Sequence, residues 1–166
     1  MIHSGGIMGI VLARVDDRLV HGQVLVGWGS VLKPDEIVVC SDEIASSDWE
    51  KELLEASGTD SIQVRVMTTA EAAAYLKEAS EKRRTMVLAE KPDCFLELVK
   101  AGVTIDKVNL GGMHYEDGKR RVTDYLYVDD HDVQVLSELH KLGVALEAQD
   151  VPGSKPVDVA KALGLE

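Results

Sequence analysis

The sequence predicts an open, mostly parallel, doubly wound α/β sheet with helices on both faces, folded as a single domain. Three observations predict it. Strand-like and helix-like apolar patterns alternate from end to end with no repeat or linker, which calls for βα units joined by right-handed crossovers. Most strand segments are apolar on both sides, as strands covered by two helical layers are. Two segments, Ile62–Val66 and Val144–Ala148, instead alternate apolar with polar residues and mark the edges. Ile10–Val15 is the most apolar strand and is therefore central, giving the order 3-2-1-4-5 and onward.

The elements follow in turn. Met1–Ile7 is small and polar, so residues 1–7 read as a tail and 8–166 as the domain. Ile10–Val15 is apolar apart from Arg14, and Asp16-Asp17-Arg18 brings the chain to the surface. Val20, Val24, Trp28 and Leu32 recur every fourth residue, the stripe of a helix laid on a sheet. Glu36–Cys40 is a second buried strand. Ser47-Asp48-Trp49-Glu50 has capping-box spacing and opens a helix expected to bury Trp49 and Leu53 before it stops at Gly58. After the edge strand Ile62–Val66, Thr68-Thr69-Ala70-Glu71 opens an alanine-rich helix through Tyr75, Leu76 and Ala79.

Thr85–Ala89 is a short buried strand, and Pro92 starts a helix that carries Phe95, Leu98 and Val99 to Gly102. Ile105–Leu110 runs straight into Gly111-Gly112. Asp117-Gly118 signals a hairpin, and Tyr125–Val128 returns as a strand whose direction stays open. Asp129 caps a helix with Val133, Leu136 and Leu139 inward, closed by Gly143. Val144–Ala148 is the last strand, Val151-Pro152-Gly153 breaks it, and Pro156 starts a terminal helix.

The totals exclude several functions. A chain of 166 residues that is 45% hydrophobic and 28% charged is an ordinary globular domain. Its net charge of −11 argues against a nucleic-acid partner and against an anionic membrane surface. Cys40 and Cys94 lie far apart in apolar segments, outside any C-x-x-C pair, so neither a disulfide nor a thiolate zinc site is expected. No histidine pair has metal-ligand spacing, and no metal or cofactor is expected. No apolar run approaches a membrane span, so a cytoplasmic location is the default.

The chemistry concentrates after the first strand. His21 stands at the carboxyl end of a central strand, near a helix start, where open α/β sheets place their ligands. Neutral imidazole is a nucleophile near physiological pH. The backbone N–H groups of Gly22 and Gln23 would face a phosphoryl oxygen. Arg14 and Arg18 supply local positive charge with a geometry that matches phosphate. Asp16 or Asp17 could orient the imidazole or hold an arginine. Against this, a histidine at a helix start is ordinarily a cap, and Arg-Asp-Asp-Arg is ordinarily a solvated loop. The strand end, the two arginines and the glycine after the histidine together favour an anion-handling site. His114 follows Gly111-Gly112 and reads chiefly as a hairpin surface residue. A receiver domain would need an aspartate where Met67-Thr68-Thr69 stands, and a Rossmann fingerprint is missing from the first βα turn.

The run Arg14-Val15-Asp16-Asp17-Arg18-Leu19-Val20-His21-Gly22-Gln23-Val24 resembles the phosphorylation loop of the IIB component of mannose-class sugar phosphotransferase systems. The likeness continues through Val39–Ala45, Val108–Met113, Tyr127-Val128-Asp129 and Leu146–Pro152, covering nearly the whole chain from Met8. It implies a cytoplasmic phosphocarrier, often a dimer, in which His21 accepts a phosphoryl group on Nδ1 from phospho-IIA. The group then passes to a sugar entering through the membrane components IIC and IID. The resemblance also implies that Arg18 stabilises the phosphohistidine. Two other functions stay open on the residues alone: a regulatory phosphohistidine protein that feeds no permease, and a non-covalent anion or sugar-phosphate binding domain.

Overall fold

β1 (Gly9–Asp16) runs through the middle of a seven-stranded sheet, between β4 (Arg84–Ala89) and β5 (Lys107–Gly112). This is the arrangement in a computed structural model that describes residues 8–79 and 82–166. The tail expected at residues 1–7 lies outside the described residues. Beyond β4 come β2 (Glu36–Cys40) and then β3 (Gln63–Met67) at the edge. Beyond β5 come β8 (Ala145–Ala148) and the two-residue β9 (Val157–Asp158). Every pairing in this sheet is parallel except β8 with β9.

The fold class is as expected from the alternating pattern, and one exchange changes the order. β4 inserts between β2 and β1, so the order is 3-2-4-1-5. Both β1 and β4 are apolar and buried, and burial alone does not say which neighbours which. A second difference lies at the far edge, where β9 pairs antiparallel with β8 and covers it. The terminal helix accordingly starts later, as α7 (Val159–Leu163), capped by the Asp158 side chain rather than opened by Pro156. The antiparallel hairpin is displaced from the expected position: β6 (Arg120–Thr123) and β7 (Leu126–Val128) are joined at Asp124-Tyr125, while Asp117-Gly118 makes only the turn that leads into β6, closed by Lys119 N–H on the Glu116 carbonyl at 3.0 Å.

The helices divide by face. A π-helical turn (Gln23–Trp28), α1 (Gly29–Leu32), α2 (Asp42–Ala45) and α3 (Asp48–Glu55) lie on one side. Val24, Trp28 and Ile44 pack there against Leu12, Ile37, Val64 and Met86. On the other side lie α4 (Thr69–Ala79), α5 (Pro92–Lys100) and α6 (Asp130–Lys141), whose Leu76, Phe95 and Leu136 meet Val15, Val38 and Leu110. The chain leaving β1 therefore turns to one face, while the chains leaving both its neighbours turn to the other. That divergence opens the carboxyl end of β1. At the amino end of the strands, fully buried Glu36 accepts hydrogen bonds from the Tyr75 hydroxyl at 2.6 Å and from Arg83 at 3.1 Å, which ties α4 beneath β2.

Two packing expectations are corrected. α3 starts where its capping residue Ser47 predicts, but Trp49 is 71% and Leu53 57% exposed. The helix crosses the β3 edge, where no further layer covers its outer face. Cys40 and Cys94 form a disulfide. Their distance in sequence conceals the contact, because Cys40 ends β2 and Cys94 lies in the first turn of α5, the helix that follows the adjacent strand β4.

Candidate active site

The loop after β1 is held by its own backbone. Asp17 N–H donates to the Gly112 carbonyl at 3.0 Å, which fixes the strand exit to β5, and Leu19 N–H returns to the Asp16 carbonyl at 2.9 Å. Leu19 adopts a left-handed φ of 55°, uncommon for a branched residue. Its side chain, 5% exposed, plugs into the core beside Val24, and that burial holds the strained turn. The Leu25 N–H to His21 carbonyl bond, 3.0 Å, then begins the helical segment. The amides of Gly22, Gln23 and Val24 have no acceptor among the described residues, and those of the exposed Gly22 and Gln23 remain available to an anion.

Asp16 is the hub. Its carboxylate is fully buried, yet it accepts from Arg18 Nε and Arg18 N–H on Oδ1, both at 3.1 Å. On Oδ2 it accepts from Arg18 Nη2 at 3.1 Å, Arg14 Nη2 at 3.2 Å and His21 Nε2 at 3.1 Å. Burial by itself would push this carboxyl up. The hydrogen bonds from Arg18 and His21 and the Arg14 charge outweigh it and hold the group below the usual carboxylate value. An ionised carboxylate only accepts, so His21 Nε2 carries the proton and Nδ1 carries the lone pair in the neutral ring. The His21 side chain is 19% exposed.

Arg14 lies beneath this hub, fully buried, on the same face of β1 as Asp16. Burial lowers its guanidinium from the ordinary arginine value, against the pull of Asp16. Its remaining donors go to Asn109 Oδ1, the Gln149 carbonyl at 2.9 Å and the Asp150 carbonyl at 2.9 Å; Nε has no partner among the described residues. The guanidinium also lies 5.2 Å from the centre of the Trp28 ring, whose Nε1 donates to the Asp150 carbonyl at 3.2 Å. Two glycines make the space. A Cβ on Gly111 would sit 1.9 Å from Arg14 Cζ, and one on Gly112 would sit 3.1 Å from Asp16 Oδ1.

The structure thus gathers Arg14, Asp16, Arg18, His21 and Gln23 around one carboxylate, with Gln23 Oε1 accepting from Arg18 Nη2 at 3.2 Å. Arg18 is the outward cation, its side chain 39% exposed. Gly22 is helical, with nothing within 4 Å of where a Cβ would be. Asp17 points elsewhere: its carboxylate takes the His114 N–H at 2.7 Å and His114 Nδ1 at 2.6 Å. His114 therefore belongs to the rim and braces the loop from the β5 side. Sequence reasoning missed that pairing, as it missed Asn109, Trp28 and the Gln149-Asp150 carbonyls. The one available signal was Gly111-Gly112, which marks a strand end where side chains from elsewhere need room.

Cavities of about 480 and 720 Å³ open elsewhere, one beside Ile10, Asp106 and Lys107, the other beside Lys33, Asp35 and Ile62. Neither contains His21.

Comparison with known proteins agrees with the geometry. A family model described as the PTS system sorbose subfamily IIB component matches residues 10–166. The chain is 34% identical over 154 residues to the N-acetylgalactosamine-specific phosphotransferase enzyme IIB component 2 of Escherichia coli K12, covering 93% of this chain and 98% of that one. It is 35% identical over 145 residues to the mannose-specific EIIAB component of the same strain, covering 87% of this chain and 45% of that one. Among solved structures, the IIBSor domain of the sorbose permease from Klebsiella pneumoniae superposes with a TM-score of 0.88 at 32% identity, over 95% of this chain and 97% of the other.

Proposed function

The chain belongs to the sorbose subfamily of phosphotransferase-system IIB components, and from that premise we propose that His21 Nδ1 carries the phosphoryl group between two partners. The donor is a phosphorylated IIA protein, and the acceptor is a sugar presented by the membrane components IIC and IID. Residues 8–166 form the carrier unit. Among the described residues no helix is long and apolar enough to cross a membrane, and the proposed place of work is the cytoplasm.

One observation carries the reading: buried Asp16 engages Nε2 at 3.1 Å and leaves Nδ1 as the ring's nucleophile. The Nδ1 lone pair attacks phosphorus in line while the bond to the donor breaks. The phosphorylated ring keeps its Nε2 proton and gains positive charge, which the Asp16 carboxylate offsets. Transfer to a sugar hydroxyl returns the N–P bonding pair to Nδ1 and the ring to its neutral form, while the hydroxyl's own proton is released to solvent, so the Nε2 proton stays in place through both steps. Arg18, gripping the same carboxylate from a partly exposed position, stabilises the equatorial phosphoryl oxygens together with the unpaired amides of Gly22 and Gln23. Arg14 acts from below, as the buried counter-charge of Asp16. A non-covalent sugar-phosphate domain would place its anion site in a cavity, and His21 stands on an exposed loop instead.

Incubation with phosphoenolpyruvate, the general phosphotransferase proteins and a cognate IIA tests the assignment. The expected product is an acid-labile, base-stable phosphate on His21 that His21→Ala abolishes. Labelling retained in that variant refutes it.

A further inference from the structure

α3 is amphipathic, yet of its apolar residues only Leu54 packs on the core. Trp49 and Leu53, four residues apart and therefore on one helix face, are 71% and 57% exposed. Leu53 continues into a groove of about 250 Å³ lined by Glu43, Ile44, Glu50, Leu54 and Glu90. This groove reaches the rim that holds His21, because Glu90 follows β4, the neighbour of β1, and feels the Asp17 charge. Burial first, then the repulsion of Glu43, Asp17 and Glu50 against a smaller pull from Lys91, raises the Glu90 carboxyl above the ordinary value. The patch is thus an aromatic and aliphatic anchor beside a groove whose charged lining, Glu43, Glu50 and Glu90, is all acidic, the composition of an interface core awaiting a cationic partner.

A second copy of this chain, at net charge −11, would meet that lining with its own acidity. An anionic lipid surface would be repelled for the same reason. A membrane protein offers the opposite charge. Its cytoplasmic loops carry an excess of lysine and arginine whatever its substrate, and a soluble donor is under no such rule.

We propose that the face of Trp49 and Leu53, with the adjoining groove lined by Glu43, Glu50 and Glu90, docks on the Lys/Arg-rich cytoplasmic loops of the membrane partner and leaves the adjacent His21 loop over its acceptor site. This rests on the carrier function proposed above. Acidity that is odd for a phosphate handler then has a use: it directs the phosphorylated carrier toward the permease and away from bare bilayer.

The two half-reactions separate the outcomes. In Trp49→Ser/Leu53→Ser, both changes fall at exposed positions, and labelling of His21 by phospho-IIA stays within about twofold of the parent. The concentration of phosphorylated carrier that half-saturates sugar phosphorylation in vesicles bearing IIC and IID rises about tenfold, with the limiting rate unchanged. Glu43→Gln/Glu50→Gln/Glu90→Gln gives a similar rise and flattens its dependence on salt. In a Trp28→Phe background, the Trp49 emission shifts to the blue when those vesicles, but not protein-free anionic vesicles, are added. The proposal is overturned if half-saturation is unchanged, if the loss appears in the labelling step, or if the serine variant changes the oligomeric state. Failure to label His21 in the parent protein removes the carrier function itself, and the docking assignment with it.

Discussion

The buried carboxylate of Asp16 and the partly exposed ring of His21 meet through a single nitrogen, Nε2, at 3.1 Å. The ring's two nitrogens are thereby made unequal before any phosphate arrives. Asp16→Asn removes the charge that selects this tautomer, because an amide can either donate or accept. Phosphoryl transfer through His21 is expected to fall by about 10²-fold or more. ¹⁵N NMR of the imidazole checks the cause: the parent shows Nε2 protonated, and the variant shows a mixture. An unmixed spectrum in a slow variant would detach Asp16 from tautomer selection.

The same carboxyl makes stability depend on pH. Its native value lies below that of the unfolded chain, so at mildly acidic pH the unfolded state binds more protons and stability rises with pH. The contribution is complete above the ordinary carboxylate range and is lost as pH falls through the lowered native value. In Asp16→Asn, a pH series of denaturant midpoints should lose this acid limb. At neutral pH the variant should also be weaker by about 3 kcal/mol, since Arg14 is left buried without its counter-charge. Parallel pH profiles for parent and variant would contradict the assignment.

Arg18 contributes a shape as well as a charge. Nε and Nη2 fork onto Asp16 while Nη2 also reaches Gln23. Arg18→Ala should slow transfer about 10²-fold with the thermal midpoint moved only slightly, as the side chain is 39% exposed. Arg18→Lys should recover only part of the rate, because an ammonium cannot form the fork. Rapid-quench transfer rates from phospho-IIA decide between them, and full recovery in the lysine variant would reduce Arg18 to a point charge.

Two glycines near the site should respond oppositely to alanine. At Gly111 the added methyl would lie 1.9 Å from the Arg14 guanidinium, which is walled in by β5 and the carbonyls after β8. Gly111→Ala should cost about 3 kcal/mol or prevent folding. At Gly22 the backbone is already helical and the space is open, so Gly22→Ala should stabilise by about 0.5–1 kcal/mol. Urea midpoints measure both.

Legibility in the sequence follows what each signal encodes. Periodicity and capping report on one element at a time, so β1, the Ser47 and Asp129 caps and the surfacing at Asp17-Arg18 can be read directly, whereas Asp16, expected to surface with them, ends β1 fully buried because Arg14, Arg18 and His21 satisfy its carboxylate. Adjacency is a property of crossovers, and no local pattern distinguishes 3-2-1-4 from 3-2-4-1. The Cys40–Cys94 disulfide stays hidden for the same reason, since it needs β2 beside β4. The burial of Arg14 is half legible: it shares strand parity with Leu12 and Asp16, but its solvation depends on a glycine in another strand. The exposure of Trp49 is set by where the sheet ends, which the helix's own sequence does not record.

Because the helices that follow β4 and β5 pack on the face opposite the segment leaving β1, the imidazole stays partly exposed among the described residues. A ring already open to solvent can be engaged by a partner as it stands. The carrier's pace is then governed by traffic: how fast one protein departs and the next takes its berth.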